Sequence, residues 1–207
     1  MLSIALPKGR LSDKVYGLMS RIGYNCESFL EDSRKLVIED TANGFRYFLV
    51  KPSDVAIYVE RGAADAGVVG KDILLESQPD VYELLNLGLG RCRMAVCAPN
   101  GYEENSGLPL RVATKYVNIT KQYYSSQNRE IEIIKLNGSI ELAPILHLSD
   151  VIVDIVETGS TLKENDMKVL GSFLDISARF IANKASYKFK YHEINTLAEK
   201  LREVSAL

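Results

Sequence analysis

No stretch of this chain approaches the ~20 consecutive apolar residues that a membrane span needs. Charge of one sign is equally scarce. A net charge of −2 over 207 residues gives no electrostatic pull toward nucleic acid. The three cysteines, Cys26, Cys92 and Cys97, show no metal-ligand spacing, and the last two fall in one expected strand. Buried, reduced thiols are the reading. The two histidines, His147 and His192, have no convincing partners in sequence and are read as structural. Neither an internal repeat nor a low-complexity segment is visible. The N-terminus enters a strand and meets Lys8 and Arg10 without the apolar region of a signal peptide, so a cytoplasmic protein is expected. What remains is a globular chain long enough for one large domain or two small ones.

The chemistry concentrates between residues 150 and 162. Residues 151–153 read as a short buried strand, apolar and β-branched. It delivers two carboxylates, Asp154 and Glu157, and then the small polar turn Thr158-Gly159-Ser160-Thr161. A helix is expected over 162–170, with Ser160 or Thr161 as its N-cap. Hydroxyls, unpaired amides and the helix dipole would then converge on one spot and hold an anion. Gly159 would let the backbone approach it closely. Carboxylates just upstream of a phosphate cradle make sense for a sugar phosphate, where they accept hydrogen bonds from the ribose 2′- and 3′-hydroxyls. Phosphoribosyltransferases use this pattern for 5-phosphoribosyl-1-pyrophosphate (PRPP). An ordinary capped helix after a strand is the alternative.

In chain order, residues 2–6 read as a strand ended by Pro7, followed by Lys8-Gly9-Arg10 and a helix with Leu11, Val15, Leu18, Met19 and Ile22 on one face. Two cations and a glycine at a strand-to-helix turn suit an anion or a solvated turn. Residues 36–38 and 45–50 form an expected hairpin around Asn43-Gly44, flanked by Arg34 and Lys51. Those two charges fit hairpin edges as well as a ligand. Ser53-Asp54 is expected to cap a helix that Gly62 stops. Residues 65–69 are the next strand, and Gly70-Lys71-Asp72 opens another helix. Strands are expected over 81–87 and 92–98, a loop over 99–109, then strand, helix and strand at 111–114, 119–127 and 131–136. Ser139 should cap a short helix with Glu141 in its first turn, cut short by Pro144. Residues 173–182 read as one strand. Residues 191–204 read as a helix whose Ile194, Leu197, Leu201 and Val204 form a packing or oligomer surface. Alternating strands and helices, in two runs split near residue 90, argue an α/β fold with two lobes and a cleft between them.

Several blocks resemble those of ATP phosphoribosyltransferases. They are Ile4-Ala5-Leu6-Pro7-Lys8-Gly9-Arg10-Leu11, Asp54-Val55-Ala56-Ile57-Tyr58-Val59-Glu60-Arg61-Gly62 and Asp65-Ala66-Gly67-Val68-Val69-Gly70-Lys71-Asp72. Ala113-Thr114-Lys115-Tyr116, Gly138-Ser139-Ile140-Glu141-Leu142-Ala143-Pro144 and the 150–162 loop follow in the same order. Ile176-Ser177-Ala178-Arg179 and Asn183-Lys184-Ala185-Ser186-Tyr187 are similar to the closing segment. Three positions depart from the family pattern: Lys51 stands where arginine is usual, Ala56 where proline is usual, and His147 where glycine or another small residue is usual.

The resemblance implies the reaction of ATP with PRPP to give N1-(5-phospho-β-D-ribosyl)-ATP and pyrophosphate, with Mg²⁺, as the first step of histidine biosynthesis. It implies a two-lobed, periplasmic-binding-protein-like (type II) α/β fold with the active site in an interdomain cleft. Domain I would comprise 1–90 plus 171–207, and domain II, carrying the PRPP loop, 91–170. It further implies the short form of the family, a homo-oligomer (dimer) that also assembles with a separate histidyl-tRNA-synthetase-like regulatory subunit. On this reading Asp154 and Glu157 orient the ribose, and Thr158, Gly159, Ser160, Thr161 and Leu162 hold the 5′-phosphate. Lys8, Arg10, Arg34 and Lys51 neutralise the leaving pyrophosphate, Lys8, Gly9, Gly70, Asp72 and Glu141 serve ATP, and the metal rides mainly on pyrophosphate with no side-chain ligand assigned. Two rivals stand beside it: a two-lobed cytosolic binding module for a phosphorylated metabolite, and a nucleobase-salvage phosphoribosyltransferase.

Overall fold

The structure is a computed structural model, and it describes residues 1–26, 29, 35–104 and 107–205. The chain divides into two compact units, Met1–Gly90 with Ser177–Leu207 and Arg91–Ile176. The first begins with β1 (Leu2–Pro7) and α1 (Arg10–Arg21). A hairpin follows, β2 (Val37–Asp40) and β3 (Phe45–Val50), paired antiparallel from Val37↔Phe48 to Asp40↔Phe45. Next come α2 (Val55–Glu60), β4 (Ala66–Gly70), α3 (Lys71–Ser77) and β5 (Val81–Asn86). The expected cap on α2 is absent. Asp54 is itself near-helical, at φ −100° and ψ −17°, and its side chain accepts from Ser53 Oγ at 2.7 Å instead of from the helix.

The second unit contains β6 (Cys92–Pro99), β7 (Leu110–Thr114), α4 (Val117–Ser126) and β8 (Ile131–Lys135). It continues with α5 (Leu142–Ile145), β9 (Val151–Val156), α6 (Ser160–Glu164) and β10 (Met167–Ile176). Here three expectations are corrected. The helix expected over 162–170 is five residues long and ends at Glu164, because Asp166 turns left-handed at φ 53°. Beyond that turn, β10 alternates exposed and shielded positions at the strand period. The strand expected over 173–182 is two strands, broken at Ser177, so residues 171–176 lie in β10 and pair with β6. α5 starts after Glu141, since Ser139 is itself left-handed at φ 48° and offers no side-chain cap.

The chain then returns to the first unit as β11 (Ala178–Asn183), α7 (Lys184–Phe189) and α8 (Tyr191–Ser205). The first sheet has the order β2-β3-β1-β4-β11-β5. Its two faces follow from the strand period: Leu2, Ile4 and Leu6 point to a core with α1 and α8, while Ala5 and Val69 point to one with α2 and α3. Ile194, Leu197 and Leu201 of α8 are buried in the first of these, so the amphipathic face is a packing surface of its own unit. Each such burial is worth ~2 kcal/mol. Gly67 is required by close approach: a Cβ there would stand 2.8 Å from Val59 Cγ2 of α2 and 3.0 Å from the Ala5 carbonyl.

The second sheet has the order β10-β6-β9-β7-β8. Strands β8, β7 and β9 run parallel, and β6 is antiparallel to both β9 and β10. In the first sheet β3, β1 and β4 are parallel, and β11 is antiparallel to both β4 and β5. The two sheets thus repeat one topology, β3-β1-β4-β11-β5 against β8-β7-β9-β6-β10, without any repeat visible in the sequence. In each, the chain leaves the central strand toward one neighbour and crosses back to the other. That makes the carboxyl ends of β1 and β7 topological switch points, the places where open α/β sheets bind ligands.

Candidate active site

At the carboxyl edge of the first sheet, the β1–β3 register ends at Pro7↔Val50, and the Lys8 amide donates to the Val50 carbonyl at 2.7 Å. Continued past the strand ends, the registers place Lys8 beside Lys51 on one side and Gly70 on the other. Lys8, Gly9, Arg10 and Lys51 are all exposed. Gly9 sits at φ 111° and ψ −161°, a conformation essentially restricted to glycine, and its carbonyl accepts from both the Ser12 amide and hydroxyl at the start of α1. Asp72 is buried in the first turn of α3. Arg34 lies outside the described residues.

In the second unit the 154–162 segment folds around a cavity of about 250 Å³. Asp154, Glu157, Gly159, Ser160, Thr161 and Leu162 line it, and so does Glu141 from the segment before α5. β9 runs further than expected and carries Asp154 within it, opposite Ala95 of β6. Gly159 precedes α6 in the left-handed conformation, φ 79° and ψ 8°. Ser160 and Thr161 therefore lie in the first helical turn rather than at its cap. Thr158 Oγ1 and Ser160 Oγ are 3.1 Å apart, so the turn brings the two hydroxyls together.

The electrostatics of Asp154 are those of a carboxylate taken partly out of water. Burial pushes its pKa up, and Glu141 adds to the rise; Lys115 and the Ile155 amide oppose it. Asp154 Oδ1 is buried without a hydrogen-bond partner. Lys115 Nζ stands 3.7 Å from it, an ion-pair distance. Cys97, buried on β6, has its thiol pushed up to about 12 by burial and by Asp154, so it stays neutral. Lys115 was not among the sequence candidates. Only the fold pairs Lys115 with Asp154: it directly follows β7, whose register Thr114↔Val153 leads to that carboxylate.

The family model HisG: ATP phosphoribosyltransferase matches residues 51–203. An ATP phosphoribosyltransferase of Brachyspira hyodysenteriae is 62% identical over 99% of this chain and 100% of its own length. One from Clostridioides difficile is 50% identical over 98% of each. Among solved structures, the ATP phosphoribosyl transferase (HisG:HisZ) complex from Thermotoga maritima has a chain similar at TM-score 0.84 and 37% identity, covering 100% of this chain and 99% of that one. The substrate binding protein of an amino acid ABC transporter shares the fold at TM-score 0.62 and 12% identity, covering 99% and 93%. The chain belongs to the ATP phosphoribosyltransferase family, the enzymes that join ATP to PRPP in the first step of histidine biosynthesis.

Proposed function

We propose that the cradle of the second unit holds PRPP. Asp154 and Glu157 accept hydrogen bonds from the ribose hydroxyls, and Thr158, Gly159, Ser160, Thr161 and Leu162 hold the 5′-phosphate. The observation that carries this reading is Asp154 Oδ1, buried at the cavity without a donor. A desolvated acceptor beside a hydroxyl-lined turn suits a ligand that brings hydroxyls on one end and phosphate on the other. Glu141 lines the same cavity, and is assigned with Lys8, Gly9, Gly70 and Asp72 to ATP.

Adenine N1 is a weak neutral nucleophile, and C1 of PRPP loses pyrophosphate through an oxocarbenium-like transition state. The chain's tasks are then to orient the two substrates and to neutralise charge growing on the leaving group. Lys8, Arg10, Arg34 and Lys51 are assigned to that charge. The family's reaction takes a divalent metal, here read as Mg²⁺. The described residues include no cluster of three or more acid, histidine or cysteine side chains that would chelate it. The ion is assigned to substrate oxygens, the usual arrangement for Mg²⁺ with phosphates. When bound, it adds positive charge to the leaving pyrophosphate.

The Thermotoga maritima relative was solved as a HisG:HisZ complex. We extend that assembly to this chain, as a homodimer partnered by a histidyl-tRNA-synthetase-like subunit in the cytoplasm. Among the described residues no helix is long and apolar enough to cross a membrane. The site assignment is tested by pyrophosphate release from PRPP and ATP, with the partner supplied. Asp154→Asn and Thr161→Ala should each lower kcat/KM for PRPP by about 10–150-fold. Unchanged values in both variants would remove the cradle from the reaction.

A further inference from the structure

Beside the cradle, one buried hydroxyl ties the end of β7 to the middle of β9. Thr114, fully buried at the end of β7, donates from Oγ1 to the Val153 carbonyl at 2.8 Å and accepts from the Tyr116 amide at 2.9 Å. Thr120 of α4 stands behind it at 3.4 Å. A single side chain thus grips the residue before Asp154 on β9 and the residue after Lys115 just ahead of α4. The register Thr114↔Val153 carries on to set Lys115 against Asp154. The Lys115 ammonium lies 3.7 Å from Asp154 Oδ1 and 4.9 Å from the centre of the Tyr116 ring, which limits where it swings.

We infer that Lys115, fixed by the Thr114 clamp, is a positioning residue that keeps Asp154 ionised and aimed at the ribose hydroxyls. The inference rests on the assignment of Asp154 to PRPP. A diol needs an acceptor, and a protonated carboxyl gives up part of that capacity. Burial and Glu141 both disfavour the ionised form of Asp154, while the Ile155 amide and Lys115 favour it. Cys97, facing from β6, is a neutral thiol and contributes no compensating charge. Among the described residues acting on Asp154, Lys115 is the cation. Removing it raises the Asp154 pKa further. The ionised fraction then falls most at the acid end of the working range and recovers as pH rises.

The experiment measures KM for PRPP and kcat for the partnered enzyme at about pH 6.5 and about pH 8.5. The variants are Lys115→Met, Lys115→Arg and Asp154→Asn. Lys115→Met, a change at a side chain that is 42% exposed and so tolerable to the fold, should lower kcat/KM for PRPP at the lower pH. It should lose clearly less at the higher pH. Lys115→Arg should recover most of the loss, and Asp154→Asn should be impaired equally at both. An equal loss for Lys115→Met at both pH values would overturn the inference, making Lys115 a direct ligand or a packing residue. So would failure of arginine to rescue. Wild-type behaviour of Asp154→Asn would instead remove the ribose assignment itself, and the inference with it.

Discussion

Lys190 donates to Asp65 Oδ2 at 2.7 Å, joining the returning C-terminal segment to the head of β4 across 125 positions of sequence. Asp65 also accepts from the Ser3 amide at 2.9 Å and the Ser186 hydroxyl at 2.8 Å. Burial alone would raise its pKa, but these hydrogen bonds outweigh burial and hold it below the usual carboxylate range. A depressed carboxylate contributes stability that is present above its unfolded pKa, near 4, and lost as pH falls through the folded value. Asp65→Asn should therefore cost ~1.5–3 kcal/mol at pH 6, less than a fully buried pair because Lys190 is 39% exposed. Urea unfolding at pH 6 and pH 3 checks this. The gap between wild type and variant should narrow at pH 3.

Gly159→Ala isolates backbone conformation from space. An added Cβ would meet only Val156 Cγ1, at an ordinary 3.8 Å, so the cost comes from holding φ at 79°. About 1 kcal/mol of stability should be lost. If the turn shifts to relieve the strain, Thr158 and Ser160 separate, and KM for PRPP rises several-fold more than stability predicts. Thermal unfolding and PRPP titration, run on one preparation, separate the two effects.

Gly70 is small for a different reason. Its φ of −66° suits any residue, but the Asp72 carboxylate occupies the place where a Cβ would stand. Gly70→Ala should push Asp72 out of the first turn of α3 and cost about 1–2 kcal/mol. Gly70→Ala combined with Asp72→Ala should cost less than the sum of the single changes, by at least ~0.5 kcal/mol. Additive losses would show that the clash is relieved elsewhere.

Lys51 tests the first unit's share of the chemistry. It is exposed at the carboxyl end of β3, beside Lys8. If it meets charge that grows only in the transition state, Lys51→Ala should lower kcat more than it raises KM. Lys51→Arg should keep much of the activity, with differences traceable to a forked rather than a point-like cation. Wild-type turnover in Lys51→Ala would return the residue to the role of an edge charge.

Much of this was legible in the residues. Strand period exposed β1 and β4, helical period exposed α1 and α8, and Asn43-Gly44 marked the hairpin, because each is a local pattern with a local cause. The gathering of 154–162 around one cavity was legible for the same reason: carboxylates, glycine and hydroxyls lie close together in one run of sequence. The misread stretch was 162–170, where an expected cap suggested a long helix. Asn165-Asp166 is a turn signal, and the left-handed Asp166 ends α6 and lets β10 form. Ser177, a single unremarkable residue, separates strands of different sheets, and nothing in its neighbours announces that. Lys115 was hidden because its partner, Asp154, is distant in sequence and adjacent only through strand register. His147 shows the reverse case: its φ of 56° is a left-handed conformation that glycine adopts at less cost.

The place of β11 sets the order in which the chain can finish itself during synthesis. β5 is made early, at Val81–Asn86, yet its pairing in the sheet is with β11, at Ala178–Asn183. All the strands of the second unit lie in the uninterrupted run Arg91–Ile176 and are in hand before β11 emerges. A ribosome therefore delivers a complete second unit while the first still has β5 unpaired and one edge of β4 open. The N-terminal half, first to be made, is the last to close.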